Sequence, residues 1–443
     1  MTKPTTFMIA LITAAAVATS GCSVLKRKTP KTPVLGERIA VLTSEGEVEV
    51  DPTLGGASMA LPEAIANTVW SQSGGNSSKS MGQLALGTSL AEAFTVSIGR
   101  GSSLTARLAS SPIVADGRVY TIDTMGSVRA FDAQTGSPVW VVQTPIDKGN
   151  EVSLYGGGLA FDSGRIFATN GLGYVVALDA ATGGQAWKVR PGGPLRGAPS
   201  IAAGALYAMS QDNQIYSLNT ADGKTNWSAA AALEIAGVFG SASPAVAQGT
   251  VVAGFSSGEL NAYRYENGRQ VWQDALQRTS ITTSVSTLSD IDADPVIDGG
   301  QVFAVGQGGR MVGLELTTGQ RLWESNIAGI STPWVAGEWI FVVTDKAKLI
   351  CFSRTNGHVR WINQLPPFEN AKKKRGQIDY SGPILAGGRL IVAGTNGVLV
   401  NIDPETGSYQ SQTGVKGGIS LPPVVANSTL YVLDDKGLLH AFR

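Results

Sequence analysis

The run Ser289-Asp290-Ile291-Asp292-Ala293-Asp294-Pro295 superficially resembles a calcium loop. Carboxylates at alternating positions are what a calcium loop supplies, but an EF-hand loop also needs Gly at its sixth position and Glu at its twelfth. Counted from Asp290, those positions hold Pro295 and Gln301, so no calcium site is expected. Gly306 to Gly313 is glycine-rich enough to cradle a phosphate, yet it lies inside a strand-turn-strand pattern with no helix after it, so a dinucleotide site is not expected either. Serines are plentiful, but no Gly-x-Ser-x-Gly elbow is matched by a suitable histidine. The two histidines, His358 and His440, are too few to favour zinc or haem. These readings leave no catalytic residue, metal ligand or cofactor-binding residue to assign.

Cysteine chemistry divides between two positions. Lys3 gives a thin positive start, Phe7 to Ala18 is apolar, and small residues Thr19-Ser20-Gly21 precede Cys22. This reads as an export signal, too short to span a bilayer as a mature helix. The small residues before Cys22 resemble a bacterial lipobox, which implies cleavage after residue 21 and a lipid on Cys22. Thr19 departs from the Leu usual at its position. Ser23 follows, with no Asp there to suggest inner-membrane retention. Cys351 is then the only other cysteine, so no intrachain disulfide is expected in the mature protein.

The positions that must hold any binding surface come from a repeat. Thr135-Gly136 precedes Trp140, and Thr182-Gly183, Asp222-Gly223, Asn267-Gly268, Thr318-Gly319 and Asn356-Gly357 precede Trp187, Trp227, Trp272, Trp323 and Trp361 at the same spacing. A seventh turn, Thr406-Gly407, has Ser411 in the tryptophan slot. Upstream of each turn, Gly117, Gly164, Gly204, Gly249, Gly300, Gly337 or Gly388 opens a strand. Each unit therefore reads as four short strands, which is a propeller blade. The tryptophans are expected to fill the gaps between neighbouring blades. A third-strand slot holding Ala130, Ala177, Ser217, Ala262, Gly313, Cys351 and Ala441 takes only small side chains, so Cys351 is read as buried and inert.

An eighth repeat starts at Pro423 and stops at Arg443, before its turn and tryptophan. Its missing strand must come from elsewhere, or a sheet edge stays open. Val69-Trp70-Ser71-Gln72 is expected to supply it, closing an all-β, eight-bladed ring through the two ends of the chain. The domain reading is a signal at 1–21, a lipidated tether at 22–64 and the propeller at 65–443. In the tether, Ile39 to Val50 is expected to form one or two strands on the propeller's outside. The composition fits: 55 glycines for many turns and 43% apolar residues for a large core. Lys+Arg and Asp+Glu balance at 34 each, which disfavours a nucleic-acid partner.

The repeats resemble those of quinoprotein dehydrogenases, which would imply pyrroloquinoline quinone and calcium. The adjacent Cys pair and the Glu/Asn/Asp ligand set of that family have no counterpart here. The lipobox-like start, the eight repeats and Trp70-Ser71-Gln72-Ser73-Gly74-Gly75-Asn76 more closely resemble the BamB family of outer-membrane barrel-assembly lipoproteins. Gly36-Glu37-Arg38-Ile39 and Asp51-Pro52 look like its α-proteobacterial form. Two loop motifs carry the resemblance to specific residues: Pro194-Leu195-Arg196-Gly197-Ala198-Pro199 and Leu288-Ser289-Asp290-Ile291-Asp292. The resemblance implies that Leu195, Arg196, Asp290 and Asp292 contact a POTRA domain of BamA, within the barrel-assembly (BAM) complex. A further apolar contact of the family falls on Gly193 here. It also implies a non-enzymatic scaffold, lipid-anchored at the periplasmic face of the outer membrane and able to meet unfolded barrel precursors. Lys372 to Arg375 is read as a solvated basic loop that could also touch anionic lipid.

Overall fold

A computed structural model of the chain describes residues 48–56, 58–150, 153–233, 242–276 and 289–443. Cys22, the signal segment, Ile39 to Glu47 and Leu288 lie outside the described residues. Eight four-stranded antiparallel sheets form eight blades, and a two-stranded hairpin, Phe368–Asn370 with Arg375–Gln377, stands between blades six and seven. Blade one is typical: Ile113–Ala115, Arg118–Ile122, Ser127–Asp132 and Pro138–Gln143 pair in sequence order from the inside outward. Because each blade is a meander, its first-to-second and third-to-fourth strand turns lie at one end. The second-to-third turns and the connectors between blades lie at the other. We call these ends the turn face and the loop face.

The turn face repeats one piece of chemistry. Each turn glycine has a positive φ, such as +74° at Gly136, and the space where its Cβ would stand is filled by an aromatic ring of the preceding blade. Trp323 fills that space at Gly357, and Trp361 at Gly407. The indole N–H then donates to a carbonyl of the same following blade: Trp323 to Arg354 at 2.8 Å, Trp272 to Leu316 at 2.7 Å. Across its own sheet each tryptophan faces the small slot, with Trp140 opposite Ala130, Trp323 opposite Gly313 and Trp361 opposite Cys351. The slot is small because the indole lies over it. The expected role of the tryptophans between blades is therefore what the structure shows.

The closing strand is an N-terminal one, as expected, but it is not the segment expected. Glu92–Ser97 pairs antiparallel with Leu438–Phe442 and completes blade eight. Phe94 stands opposite Ala441 and under Gly136, in the slot a tryptophan fills elsewhere. Spacing carried this signal. Phe94 lies 18 residues before Pro112, comparable with Trp227 to Pro244 (17) and Trp361 to Pro383 (22), whereas Trp70 lies 42 before it. The Gly74-Gly75 pair, both at positive φ, also bends the chain soon after Trp70.

Trp70 belongs instead to a belt across the inner strands. The belt meets blade eight where the Asn427 amide donates to the Asn67 carbonyl (2.8 Å) and blade one where Trp70 and Val114 exchange backbone bonds. The Ser71 carbonyl accepts from Phe161 of blade two, and Gln72 bonds Ile201 of blade three through its side chain. The Ser77 and Ser78 carbonyls accept from Val246 and Ile297 of blades four and five. The Gly82 carbonyl accepts from the Trp334 indole of blade six, and Leu84 pairs with the end of blade seven's first strand. One segment thus satisfies backbone groups along the inner strands of seven blades and takes the Trp334 indole of the remaining one, covering edges that would otherwise be exposed. Farther upstream, Val50 forms a parallel bridge to Val359 on blade six's outer strand. Asp51 anchors it with a backbone bond to Val359 and a 2.6 Å contact to His358. The described end of the stretch expected on the propeller's outside lies there.

Candidate functional site

The two loop motifs, almost a hundred residues apart in sequence, converge on the loop face around the second-to-third turn of blade four. The connector from blade two to blade three is pinned before it reaches that turn. Leu195 bridges antiparallel to Ser210, and the Arg196 amide donates to the Met209 carbonyl (3.1 Å). The Arg196 carbonyl accepts from Gly157 (2.9 Å). This fixes the backbone on both sides of Arg196 and sends its guanidinium to the Ser256 hydroxyl. The second connector arrives from the other side. Ser289 donates to the Ser256 carbonyl (3.1 Å), the Ile291 amide to Phe255 (3.2 Å), and the Asp290 carbonyl accepts from Gln307 (2.9 Å). Arg196, Ser256 and Asp292 thereby line one small hollow together with Asn213 and Ile291.

The four residues singled out from sequence are brought together, but they are not equivalent. Leu195 and Asp290 are each only 1% exposed. Leu195 packs with Phe167, Val175 and Tyr216 in the core between blades two and three. Arg196 and Asp292 keep accessible surface. The carboxyl of Asp292 is pushed up to about 7, first by burial and then by the neighbouring Asp290 carboxylate, with Arg196 pulling the other way. The site is therefore a guanidinium and a reluctant carboxylate on a rigid base, a donor-acceptor pair suited to recognising another protein's polar surface. Gly193 stands near Asp212 at the start of the same connector and supplies no apolar contact. Sequence reading missed Ser256 and Gln307, which come from turns of the blades themselves. No local motif marks them, because only the convergence of the connectors gives them a role.

Other candidates resolve differently. Cys351 is fully buried opposite Trp361, and burial pushes its thiol far above the usual range, so it is chemically inert. Among the described residues no group of three or more His, Cys, Asp or Glu side chains could hold a metal ion. The Asp290-Asp292-Asp294 run is divided: Asp294 is buried, accepting from the Ser73 hydroxyl and the Ser243 amide, both at 2.6 Å. Lys372 to Arg375 is exposed at the tip of the hairpin between blades six and seven.

Comparison with known proteins adds the family. The profile described as "Outer membrane protein assembly factor BamB" matches residues 101–154 and 125–363. The assembly factor BamB of Yersinia pestis is 26% identical over 329 residues, covering 73% of this chain and 81% of that protein. BamB of Vibrio cholerae is 29% identical over 333 residues, covering 74% and 82%. In fold, the chain matches the crystal structure of BamB from Moraxella catarrhalis with a TM-score of 0.68 at 19% identity, covering 80% of this chain and all of that one. A europium-containing methanol dehydrogenase matches with a TM-score of 0.65 at 15% identity, covering 82% and 89%, a likeness of fold alone.

Proposed function

The chain belongs to the BamB family of outer membrane protein assembly factors, and from this premise we propose that it docks its loop face on the barrel-assembly component BamA through Arg196 and Asp292. Its function is outer membrane protein assembly by binding rather than by catalysis. The quinone-dehydrogenase alternative rests on shared fold only. In the fuller reading the protein is a member of the BAM complex, held at the periplasmic face of the outer membrane by a lipid on Cys22, with a POTRA domain as the docked surface. Its assistance to barrel precursors then follows from bringing them close to the machinery.

The observation that carries the docking site is the convergence on Ser256 of two connectors from different blades, each pinned by backbone hydrogen bonds. A site held this firmly loses little entropy on association. Leu195 and Asp290 serve it from below: Leu195 anchors the Arg196 backbone in the core, and Asp290 sets the electrostatics of Asp292. The test is co-purification of BamA from detergent-solubilised envelopes. Arg196→Glu should abolish it while the purified protein still unfolds in one cooperative transition, at a lowered midpoint because a third carboxylate joins Asp290 and Asp292. Leu195 is unsuitable for this test because truncating a core leucine costs about 2–5 kcal/mol by itself. Undiminished co-purification by Arg196→Glu would remove the assignment.

A further inference from the structure

The belt turns the propeller's central channel into a cup. Trp70, Ser73, Gly74 and Lys79 form its floor, and the connectors between blades form its wall, so the cavity of about 800 Å³ lies toward the loop face. This is within the range of about 300–1,000 Å³ found for built ligand sites. The cup is separate from the docking surface in chemistry, although Arg196 and Asp292 reach its edge.

Three features of the lining define a ligand. First, the floor is aromatic. The Trp70 ring stacks on Trp334 of blade six with centroids 6.4 Å apart and planes at 17°. Leu108, Ile384 and Leu421 continue this apolar surface, and Ile330 is left 49% exposed on it. Second, an ammonium is built into the floor. Lys79 is 1% exposed and donates to the Ser73 carbonyl (2.9 Å) and the Ser200 hydroxyl (2.8 Å). An ammonium has three N–H donors, so one is left over. Asp294, buried beside it, balances its charge, and burial lowers the lysine to about 8. A neutral acceptor such as an amide carbonyl suits this pair better than a free anion, whose charge Asp294 would oppose. Third, the wall is hydroxyl-rich and mixed in charge. Ser110, Ser111 and Ser420 already donate to protein oxygens and so face the cup as acceptors, Thr332 accepts from the Asp294 amide and keeps its O–H to donate, and Arg107 is offset by Asp379 and Asp435. Hydroxyls of that kind suit the alternating N–H and C=O of a peptide backbone.

We propose that the cup binds a short, uncharged, extended peptide segment, with one large apolar side chain against Trp70 and Trp334 and a backbone carbonyl on Lys79. The occupant is a peptide rather than a flat cofactor because the wall offers backbone-type partners and no unopposed cation pair for ring carboxylates. This goes beyond docking at Arg196 and does not rest on it.

The experiment uses the full-length protein and four capped peptides, acetyl-Gly-Thr-X-Thr-Gly-amide, with X as Phe, Leu, Ser or Glu, titrated by calorimetry. The Phe and Leu peptides should bind saturably, and the Ser and Glu peptides at least about tenfold more weakly, the effect of losing one buried apolar anchor. Ile330→Trp, which fills the cup from an exposed position, should weaken the Phe peptide at least about tenfold. Its thermal midpoint and its co-purification with BamA should be unchanged, so the failure of this site and the failure of the docking site are distinguishable. Equal affinity for all four peptides would overturn the proposal, as would no saturable binding of any. So would a Phe affinity indifferent to Ile330→Trp, or tight binding of pyrroloquinoline quinone by a cup that ignores the peptides.

Discussion

The two faces of the propeller solve opposite problems with the same strands. On the turn face, an aromatic ring of one blade seals against the turn glycine of the next, from Trp140 under Gly183 round to Phe94 under Gly136. On the loop face the connectors differ in length and sequence, and they hold charges that cost stability, such as Asp292 beside Asp290. The one junction where the seal is missing explains the rule. Blade eight is closed by strands from opposite ends of the chain, with Ala91 and Arg443 exchanging backbone bonds where a turn would be. It therefore has no turn glycine for blade seven to cover. Blade seven accordingly carries Ser411 in place of tryptophan, and Asn401 instead of a small residue opposite it, the two joined by a 3.0 Å hydrogen bond. Uniformity holds the wheel together, and departures from it mark either the seam or the surfaces proposed to bind.

The largest effect should come from breaking the seal. Trp323 stacks between Phe303 and Phe352, and Trp323→Ala should lower unfolding free energy by about 3–5 kcal/mol in denaturant titrations. A cost under about 1 kcal/mol would mean the rings are ornaments of the repeat rather than its cement.

The two faces should respond to pH in opposite senses. Turn-face carboxyls such as Asp132, Asp179 and Glu315, held low by neighbouring threonines, lose stabilisation only as pH falls into the acid range. Asp292 on the loop face instead costs stability as pH rises. A carboxyl raised from 3.8 to about 7 in the folded protein takes up protons that the unfolded chain releases. Its penalty is absent below pH 3.8, grows as pH rises through the window up to 7, and is complete above that. Asp292→Asn should therefore stabilise the protein at pH 8, by at most about 4 kcal/mol, with the gain shrinking steadily toward pH 4. The cost of Trp323→Ala should stay flat across the same range. A pH-independent Asp292→Asn effect would erase this contrast between the faces.

Phe94→Ala tests whether the closing strand obeys the turn-face rule. Phe94 is only partly buried, so the expected loss is about 2–3 kcal/mol, below that of Trp323→Ala. The smallest effect is expected at the seam. Ser411→Ala should change stability by less than about 0.5 kcal/mol, since Ser411 is exposed and seals nothing. A large loss there would show that blade seven is sealed after all.

Much of this was legible in the residues. The glycine-to-tryptophan spacing marked six four-stranded units and the strand pattern around it two more, and the small third-strand slot indicated the burial of Cys351, because both are local rules applied many times over. The loops proposed to dock were picked out through family resemblance, as Leu195, Arg196, Asp290 and Asp292. Their division into two buried and two accessible residues was not, because exposure depends on what packs above a loop. The assignment of the closing strand to Trp70 failed for a different reason, since the spacing to Pro112 favoured Phe94. Trp70 and Phe94 are both aromatic, and the choice turned on which segment could reach Ala441 in register.

What the sequence determined by itself was thus the repeating part: strand count, turn positions, and the pairing of large with small side chains, all set by neighbours a few to fifty residues away. What only the tertiary structure decided was everything at the axis and on the loop face. The belt touches most blades through backbone groups that any sequence carries, and two through the single side chains Gln72 and Trp334, so its path follows no repeating pattern of residue identity. Lys79 and Asp294 meet from positions more than two hundred residues apart, and no local pattern can register a distance that exists only once the ring is closed.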